Sequence, residues 1–508
     1  MSQNRIRFEL AERLQSAIAG HEPLPKRPRP YQVETMSAME RWLREKPEQN
    51  RAHIHHATGL GKTVLYAMIA RQAVGLRMLF IMPTKTLVAQ TARMLAPYAG
   101  GMVGHLTTLS DITVSKKDRT TVAVYGYKHH SIVLTTDAGF RLRRNELLEA
   151  YRPHLILRDE CHWAYTESAA FSLGMFADSL VLGVTATADY LGTVSKPGFR
   201  ETRLPSGQLL YADPERCAST HFGPCLDERD AAWGIENKFL CPFEWRTLDV
   251  SLDLARVPIR NSPLGYDYDL SGVNRVMSKS WNTVISAVLD CYDKSSLGLS
   301  NRRAISICTT VQQANQLAEA LSEGGVVARC VSAGTHDDER DEIFEAFEAG
   351  QIKHICSVQV LREGWDSPNA DTAFMLRPCR SYVVYVQGIG RILRLPPDRP
   401  DKVAQVFDLS QGDRPGAPLS APVLLGSGPA SRVIPVEHWA SPEGRFTAEG
   451  VEYVSHTALV SLYGYAWVNL NVVRRKALRT KRGRMPHEGM QTFYAVEDVR
   501  EVLRQPLH

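Results

Sequence analysis

The feature that most narrows the folds open to this chain is His55-His56-Ala57-Thr58-Gly59-Leu60-Gly61-Lys62-Thr63, which follows an apolar lead-in ending at Ile54 and precedes Val64-Leu65-Tyr66-Ala67-Met68-Ile69-Ala70. A strand that runs through a glycine-bearing loop into a helix makes a phosphate cradle. Backbone N–H groups around Thr58, Gly59 and Gly61 converge on phosphate oxygens, the Lys62 ammonium reaches the outer phosphates, and the Thr63 hydroxyl is a ligand for Mg²⁺ at the positive end of a helix. The strict loop pattern has Gly or Ala where this chain has His56.

Further short motifs follow in one order. Met78-Leu79-Phe80-Ile81-Met82 reads as a strand and leads into Pro83-Thr84-Lys85, and Leu155-Ile156-Leu157 leads into Asp159-Glu160-Cys161-His162. A carboxylate at the carboxyl end of a parallel strand beside a phosphate loop can hold Mg²⁺, and its neighbour can polarise water. The strand Leu180-Val181-Leu182-Gly183-Val184 ends in Thr185-Ala186-Thr187. Later come Val360-Leu361-Arg362-Glu363-Gly364-Trp365-Asp366 and Gln387-Gly388-Ile389-Gly390-Arg391-Ile392-Leu393-Arg394. Arginines three apart share a helical face and can reach a γ-phosphate across a cleft.

This ordered set resembles the superfamily 2 helicases and translocases, in the branch that includes the motor subunits of type III and type I restriction enzymes and the XPB-like repair helicases. The resemblance spans about residues 29 to 394. It implies two tandem RecA-like domains with ATP and Mg²⁺ in the cleft between them. It also implies Gln32, in Arg29-Pro30-Tyr31-Gln32, as the adenine reader, with Lys62 and Thr63 as the phosphate motif. Asp159 and Glu160 become the catalytic carboxylates, Thr185 and Thr187 the coupling motif, Gly364 and Asp366 nucleotide contacts, and Gln387, Arg391 and Arg394 the second-domain catalytic set. Thr84, Lys85, Thr135, Thr136, Thr309 and Gln359 become contacts to a nucleic-acid backbone. Two departures stand out: Cys161 makes the box Asp-Glu-Cys-His, and Ala188-Asp189 replaces the Pro and downstream Arg usual after the threonine motif.

The alternation of apolar strands with helical stretches argues for α/β architecture with parallel sheets. The expected organisation is an N-terminal helical extension over 1–26, a first nucleotide-binding domain over 27–245, a second over 246–412, a Pro/Gly/Ala/Ser-rich linker over 413–436, and a small helical or winged-helix domain over 437–508. The stretch 190–240, with Pro, Gly and two cysteines, reads as an insertion or surface excursion. In the last segment, 457–463 and 466–476 have helical spacing, Thr480 to Arg484 is a basic hairpin-like stretch, and no acid interrupts the run from Arg474 to Arg484. This weakly resembles a winged helix-turn-helix, with Arg474, Arg475, Lys476 and Arg482 tracking phosphates. The blander reading is a small packing domain with a solvated basic face.

At 508 residues, with 44% hydrophobic and 23% charged residues, the chain suits two or three globular domains and neither a disordered nor a fibrous class. No apolar run approaches a membrane span and the first residues lack a secretory apolar core, so a cytoplasmic location without membrane partners is expected. The nine scattered cysteines suit reduced thiols, with Cys308, Cys330 and Cys356 inside apolar runs. Cys217, His221, Cys225 and Cys241 offer four zinc-type ligands at a non-standard spacing, which fits unrelated loop side chains better. Glu236-Asn237-Lys238 has a spacing seen in some nucleases but lacks a strand and a partner Asp. The expected function is ATP-dependent movement along nucleic acid, with duplex DNA as track and a nuclease, methyltransferase or replication protein as partner. An RNA helicase, or a DNA-binding regulator with the ATPase as a switch, are the alternatives.

Overall fold

The computed structural model describes residues 3–19, 28–46, 48–72, 75–95, 103–106, 131–204, 208–248, 250, 252–293, 297–358, 367–409, 418–425, 433–435, 445–448, 451–455, 480–485, 489–495 and 498. Two seven-stranded, wholly parallel sheets organise the chain. The first has the spatial order Cys225–Arg229, Arg51–His56, Leu180–Thr185, Leu155–Asp159, Met78–Met82, Ile132–Thr136, Val103–Leu106. The second has Ala328–Val331, His354–Ser357, Ala304–Ile307, Thr372–Met375, Ala404–Asp408, Phe243–Thr247, Val433–Pro435.

Helices cover both faces of the first sheet, which is why its inner strands are apolar without interruption. The pleat sorts the side chains. Met78, Phe80 and Met82 join one core with Leu10, Leu14, Met36, Met39, Leu65 and Ile69, from the helices Gln3–Ala19, Pro30–Glu45 and Lys62–Gln72. Leu79 and Ile81 join the opposite core with Phe140 and Leu173, from the helices Asp137–Glu146 and Glu167–Gly174. The expected N-terminal extension is therefore part of the first lobe's core. Its Arg7 is buried and donates to the carbonyls of Trp42, Leu43, Lys46 and Gln49, which closes the end of the second helix.

Three expectations need correction. The stretch after residue 190 is not a mere surface excursion. It builds an antiparallel three-stranded sheet (Asp189–Gly192, Leu209–Cys217, Arg200–Arg203) and then contributes Cys225–Arg229 as the edge strand beside the phosphate-loop strand. Secondly, the crossing between lobes falls before Phe243, because Phe243–Thr247 already pairs inside the second sheet. Thirdly, the compositional linker is partly core: Leu419, Ala421, Val423, Leu424 and Leu425 are buried, and Val433–Pro435 pairs as a strand of the second sheet. Composition marked Pro and Gly there, while burial followed the apolar residues between them.

In the last segment the described residues form a four-stranded antiparallel sheet, in order Arg445–Ala448, Val451–Ser455, Gly489–Ala495, Thr480–Met485. The expected basic hairpin is the Thr480–Met485/Gly489–Ala495 pair. The expected helices at 457–463 and 466–476 lie outside the described residues. Among the described residues no helix is long and apolar enough to cross a membrane.

Candidate active site

The order of the first sheet assembles the site. Leu180–Thr185 lies between Arg51–His56 and Leu155–Asp159, so the phosphate loop, the Thr185-Ala186-Thr187 turn and the Asp159-Glu160 pair emerge side by side at the strands' carboxyl ends. The loop turns through Gly59 at φ +90° and Gly61 at φ +74°, a region that side chains avoid, and then enters the helix Lys62–Gln72. Lys62 Nζ lies 3.3 Å from the carbonyl oxygen of His56 and 3.7 Å from Glu160 Oε1.

Asp159 Oδ1 accepts from Tyr66 Oη at 2.5 Å and from the Glu160 backbone N–H at 2.9 Å. Glu160 itself takes a left-handed backbone at φ +44°, a conformation that non-glycine residues hold at a cost of order 1–3 kcal/mol and that turns the chain sharply out of the strand. Burial, and after it the charge of Glu160, pushes the Asp159 carboxyl up. For Glu160, burial alone would do the same, but nearby positive charge, Lys62 first and Arg391 with it, outweighs it and holds the group below the usual carboxylate range. Two adjacent carboxylates, Asp159 buried and Glu160 half-buried, the first of them short of compensating positive charge, fit a divalent cation. The hard oxygens of Asp159 and Thr63 suit Mg²⁺.

His162 is the hub that links this site to the second lobe. Gln387 Nε2 lies 3.2 Å from His162 Nε2, and His162 Nδ1 lies 2.9 Å from Thr185 Oγ1, 3.2 Å from Thr187 Oγ1 and 3.4 Å from Glu160 Oε2. With the amide nitrogen donating, the imidazole accepts at Nε2 and donates from Nδ1. That tautomer is neutral, and burial pushes His162 down to about 4 despite the nearby Glu160 charge. The residue was visible in the Asp-Glu-Cys-His box, but its role needed the positions of Gln387 and both threonines. Cys161, the departure in that box, is fully buried beside Gly183, where a small thiol fits.

The arginines come from a different helix type than expected. The helix Tyr382–Ile389 ends and a 3₁₀ turn, Gly390–Leu393, follows with Arg394 as its C-cap. Arg391 lies close enough to Glu160 to help hold its carboxyl down, while Arg394 packs on the phosphate loop. A Cβ placed on Gly59 would lie 3.0 Å from Arg394 Cγ, and one on Gly390 would lie 3.4 Å from Thr58 Cβ. The second lobe's arginine turn thus packs directly on the phosphate loop. Burial pushes Arg394 down to about 10.

Gln32 packs on the same loop. Its Nε2 donates to the carbonyls of Leu60 and Gly61, and its Oε1 accepts from the Arg29 backbone N–H as a cap of its own helix. His56, the departure in the loop, is buried with Nε2 at 2.7 Å from Asp227 Oδ2. His53 and His55 also bind this flank: His53 Nδ1 lies 3.0 Å from the Gly223 carbonyl and His55 Nδ1 3.2 Å from Glu228 Oε1. The three histidines are the seam on which the edge strand docks.

Of the expected nucleic-acid contacts, Thr84 caps the helix Lys85–Leu95 by accepting from Leu87 N, and Lys85 is exposed at that helix's start. Thr135 is fully buried, Thr136 caps Asp137–Glu146 by accepting from Gly139 N, and the Thr309 hydroxyl is buried without a hydrogen-bond partner among the described residues. Arg482 sits in the strand Thr480–Met485. Gln359, Gly364, Asp366, Arg474, Arg475 and Lys476 lie outside the described residues. No cluster of metal-ligating side chains exists among the described residues, and Cys217 and Cys241 turn their thiols to the carbonyls of Pro214 and Ile392. All nine cysteines are free, with Cys308 and Cys356 buried and Cys330 half-buried. Glu236 and Lys238 are exposed.

Two parallel-sheet lobes, a phosphate loop with paired carboxylates on one and an arginine turn on the other, define a nucleoside-triphosphatase with a composite interdomain site. Residues 25–189 match the family model for the type III restriction enzyme res subunit, and residues 284–396 match the helicase conserved C-terminal domain. The chain therefore carries the two domains of an ATP-hydrolysing superfamily 2 helicase, a res-like one followed by a helicase C-terminal one. A 51.5 kDa protein of Lactococcus phage (isolate 7-9) is 26% identical over 67% of this chain and 62% of its own length. IRC3 of Saccharomyces cerevisiae is 24% identical over 78% of this chain and 53% of its own length. The chain thus spans less than two thirds of either relative. The Type ISP restriction-modification enzyme LlaBIII shares the fold, with a TM-score of 0.52, 16% identity, and coverage of 77% of this chain and 28% of that one.

Proposed function

We propose that this chain hydrolyses ATP between its two lobes and uses their closure to move along nucleic acid, with duplex DNA as the preferred track. The observation that carries the reading is the direct packing of Arg394 on Gly59 together with the Gln387–His162 contact, since both make turnover depend on lobe alignment. Lys62 would hold the outer phosphates, and Thr63 with Asp159 would hold Mg²⁺, which when bound offsets charge on the phosphate oxygens. Glu160, kept ionised by Lys62 and Arg391, takes the proton of the attacking water. Arg391 and Arg394 meet the charge that develops on the γ-phosphate, a contribution of order 10³ to 10⁵ in rate. Nucleic acid spanning both lobes aligns them and so raises turnover. Thr84 and Lys85 on the first lobe, Thr309 on the second, and the basic run Arg474 to Arg484 are the proposed contacts.

A formal net charge of +5 and the uninterrupted basic run support a polyanionic track, and LlaBIII is described bound to DNA. A nuclease, methyltransferase or replication protein is the proposed partner. ATP turnover measured with duplex DNA, single-stranded DNA and RNA at several salt concentrations tests this, on the full chain and on a chain lacking residues 437–508. Duplex DNA should stimulate most, and the truncation should weaken and flatten the salt dependence because fewer counterions are released. Strongest stimulation by RNA would favour an RNA helicase. Turnover indifferent to every track would favour an ATP-driven regulatory switch, and an unchanged salt slope would make the last segment a packing domain.

A further inference from the structure

Behind the arginine turn lies a buried cation that the catalytic set does not use. Lys402 is 4% exposed, and its ammonium donates to the carbonyls of Arg394 at 2.7 Å, Ala370 at 2.7 Å and Pro368 at 3.0 Å. An ammonium has three N–H bonds, and each has a carbonyl here. One of these carbonyls belongs to Arg394, the residue packed on Gly59. The other two belong to the turn that directly follows Gly364 and Asp366 in sequence. The lobe crossing holds the same stretch of backbone, since Cys241 N donates to Leu393 O at 2.8 Å and Leu240 bridges Arg394.

We propose that Lys402 is a positioning residue for catalysis: it fixes the backbone of Arg394 against the 367–370 turn, and so sets the reach of the arginine into the phosphate site. This rests on the finger role given to Arg394 above. The geometry supports it. Arg394 is the C-cap of a short 3₁₀ turn with extended backbone, ψ 135°, so the peptide that follows it has no helical partner to orient it. The ammonium supplies that orientation with a charge-assisted bond. The same ammonium then transmits any shift of the 367–370 turn to the arginine.

The groups facing Lys402 are Cys241, Asp371, Arg399 and Arg394, with Arg399 itself held by Asp371 at 2.7 Å. Burial outweighs the favourable Cys241 and Asp371 and pushes Lys402 down to about 8. The staple is therefore complete below that pH and loses one donor as pH rises through it.

The test is single-turnover ATP hydrolysis by the full chain saturated with ATP and duplex DNA, for wild type, Lys402→Met, Arg394→Ala and the double variant, with ATP affinity measured alongside. Lys402→Met should lower hydrolysis about 10- to 100-fold and leave ATP affinity within about 3-fold, as expected for an effect confined to transition-state geometry. The double variant should be no slower than Arg394→Ala, because the lysine acts through the arginine. Wild-type hydrolysis should also fall as pH rises through about 8, a limb absent from Arg394→Ala. That profile needs no lysine variant and stands if Lys402→Met does not fold. Losses that multiply in the double variant, or a flat profile between pH 7 and 9, would overturn the proposal; about neutral pH is where the staple is whole. If Arg394→Ala alone hydrolyses at the wild-type rate, the finger reading itself fails. If Arg394→Ala is slow and Lys402→Met is not, only the role of Lys402 fails.

Discussion

Glu160 and Lys62 illustrate how one short contact carries two different jobs. The 3.7 Å approach of Lys62 Nζ to Glu160 Oε1 helps keep the carboxylate ionised, and in the proposed mechanism the same ammonium meets the outer phosphates. The two residues should therefore fail differently. Lys62→Ala should weaken ATP binding and remove turnover, while Glu160→Gln keeps the shape of the site, still binds ATP, and turns over at least about 100-fold more slowly because an amide cannot accept the proton. Nucleotide affinity and steady-state turnover, measured on both variants, check this, and near-wild-type turnover in either would remove the residue from the catalytic set. Lys62, Asp159 and Glu160 were legible in sequence because phosphate and metal chemistry admits few residue types at those spacings. His56 was legible only as a departure. Its reason, Asp227 at 2.7 Å on a strand 171 positions later, is a long-range pairing that no local pattern encodes.

At the scale of elements, the departure after the threonine motif has a structural cause. Ala188 and Asp189 do not end the element but lead into the strand Asp189–Gly192, which carries the chain toward the second lobe. There Tyr190 Oη donates between the carbonyls of His162 and Pro263, and Gly192 forms a bridge with Ser381. Arg380 closes the contact by donating to Thr193 Oγ1 at 2.8 Å, while its own N–H donates to Asp267 at 2.7 Å. This strut joins the backbone of the carboxylate motif to the start of the helix that carries Gln387. A Cβ on Gly192 would lie 2.5 Å from the Arg380 carbonyl oxygen, so the strut has no room for one. Gly192→Ala should cost about 1–3 kcal/mol and lower nucleic-acid-stimulated ATP turnover several-fold. Gly174→Ala, with no atom within 4 Å of the new Cβ, should change neither. Thermal unfolding and stimulated turnover of the pair decide it, and equal behaviour of the two variants would count against the strut. The sequence marked this stretch only as irregular, because short antiparallel strands separated by Pro and Gly lack the long period that made the parallel strands readable.

Across the whole molecule, one apolar core runs through both lobes. Leu60 of the phosphate loop, Leu240 of the crossing and Ile389, Ile392 and Leu393 of the arginine turn belong to a single buried cluster. The inner strands Met78–Met82, Leu155–Asp159 and Leu180–Thr185 were legible as apolar runs followed by motifs, whereas this shared core depends on which turns meet and was not. In the proposed mechanism its consequence is that the second lobe completes the chemistry begun by the first. The direct measurement is Arg394→Ala, with ATP affinity and single-turnover hydrolysis determined on the same protein. The composite site predicts affinity within about 3-fold of wild type and hydrolysis slower by about 10³-fold or more, as for loss of an arginine finger. A large loss of affinity with unchanged hydrolysis in the bound state would contradict it, and would make Arg394 a ground-state clamp on the nucleotide.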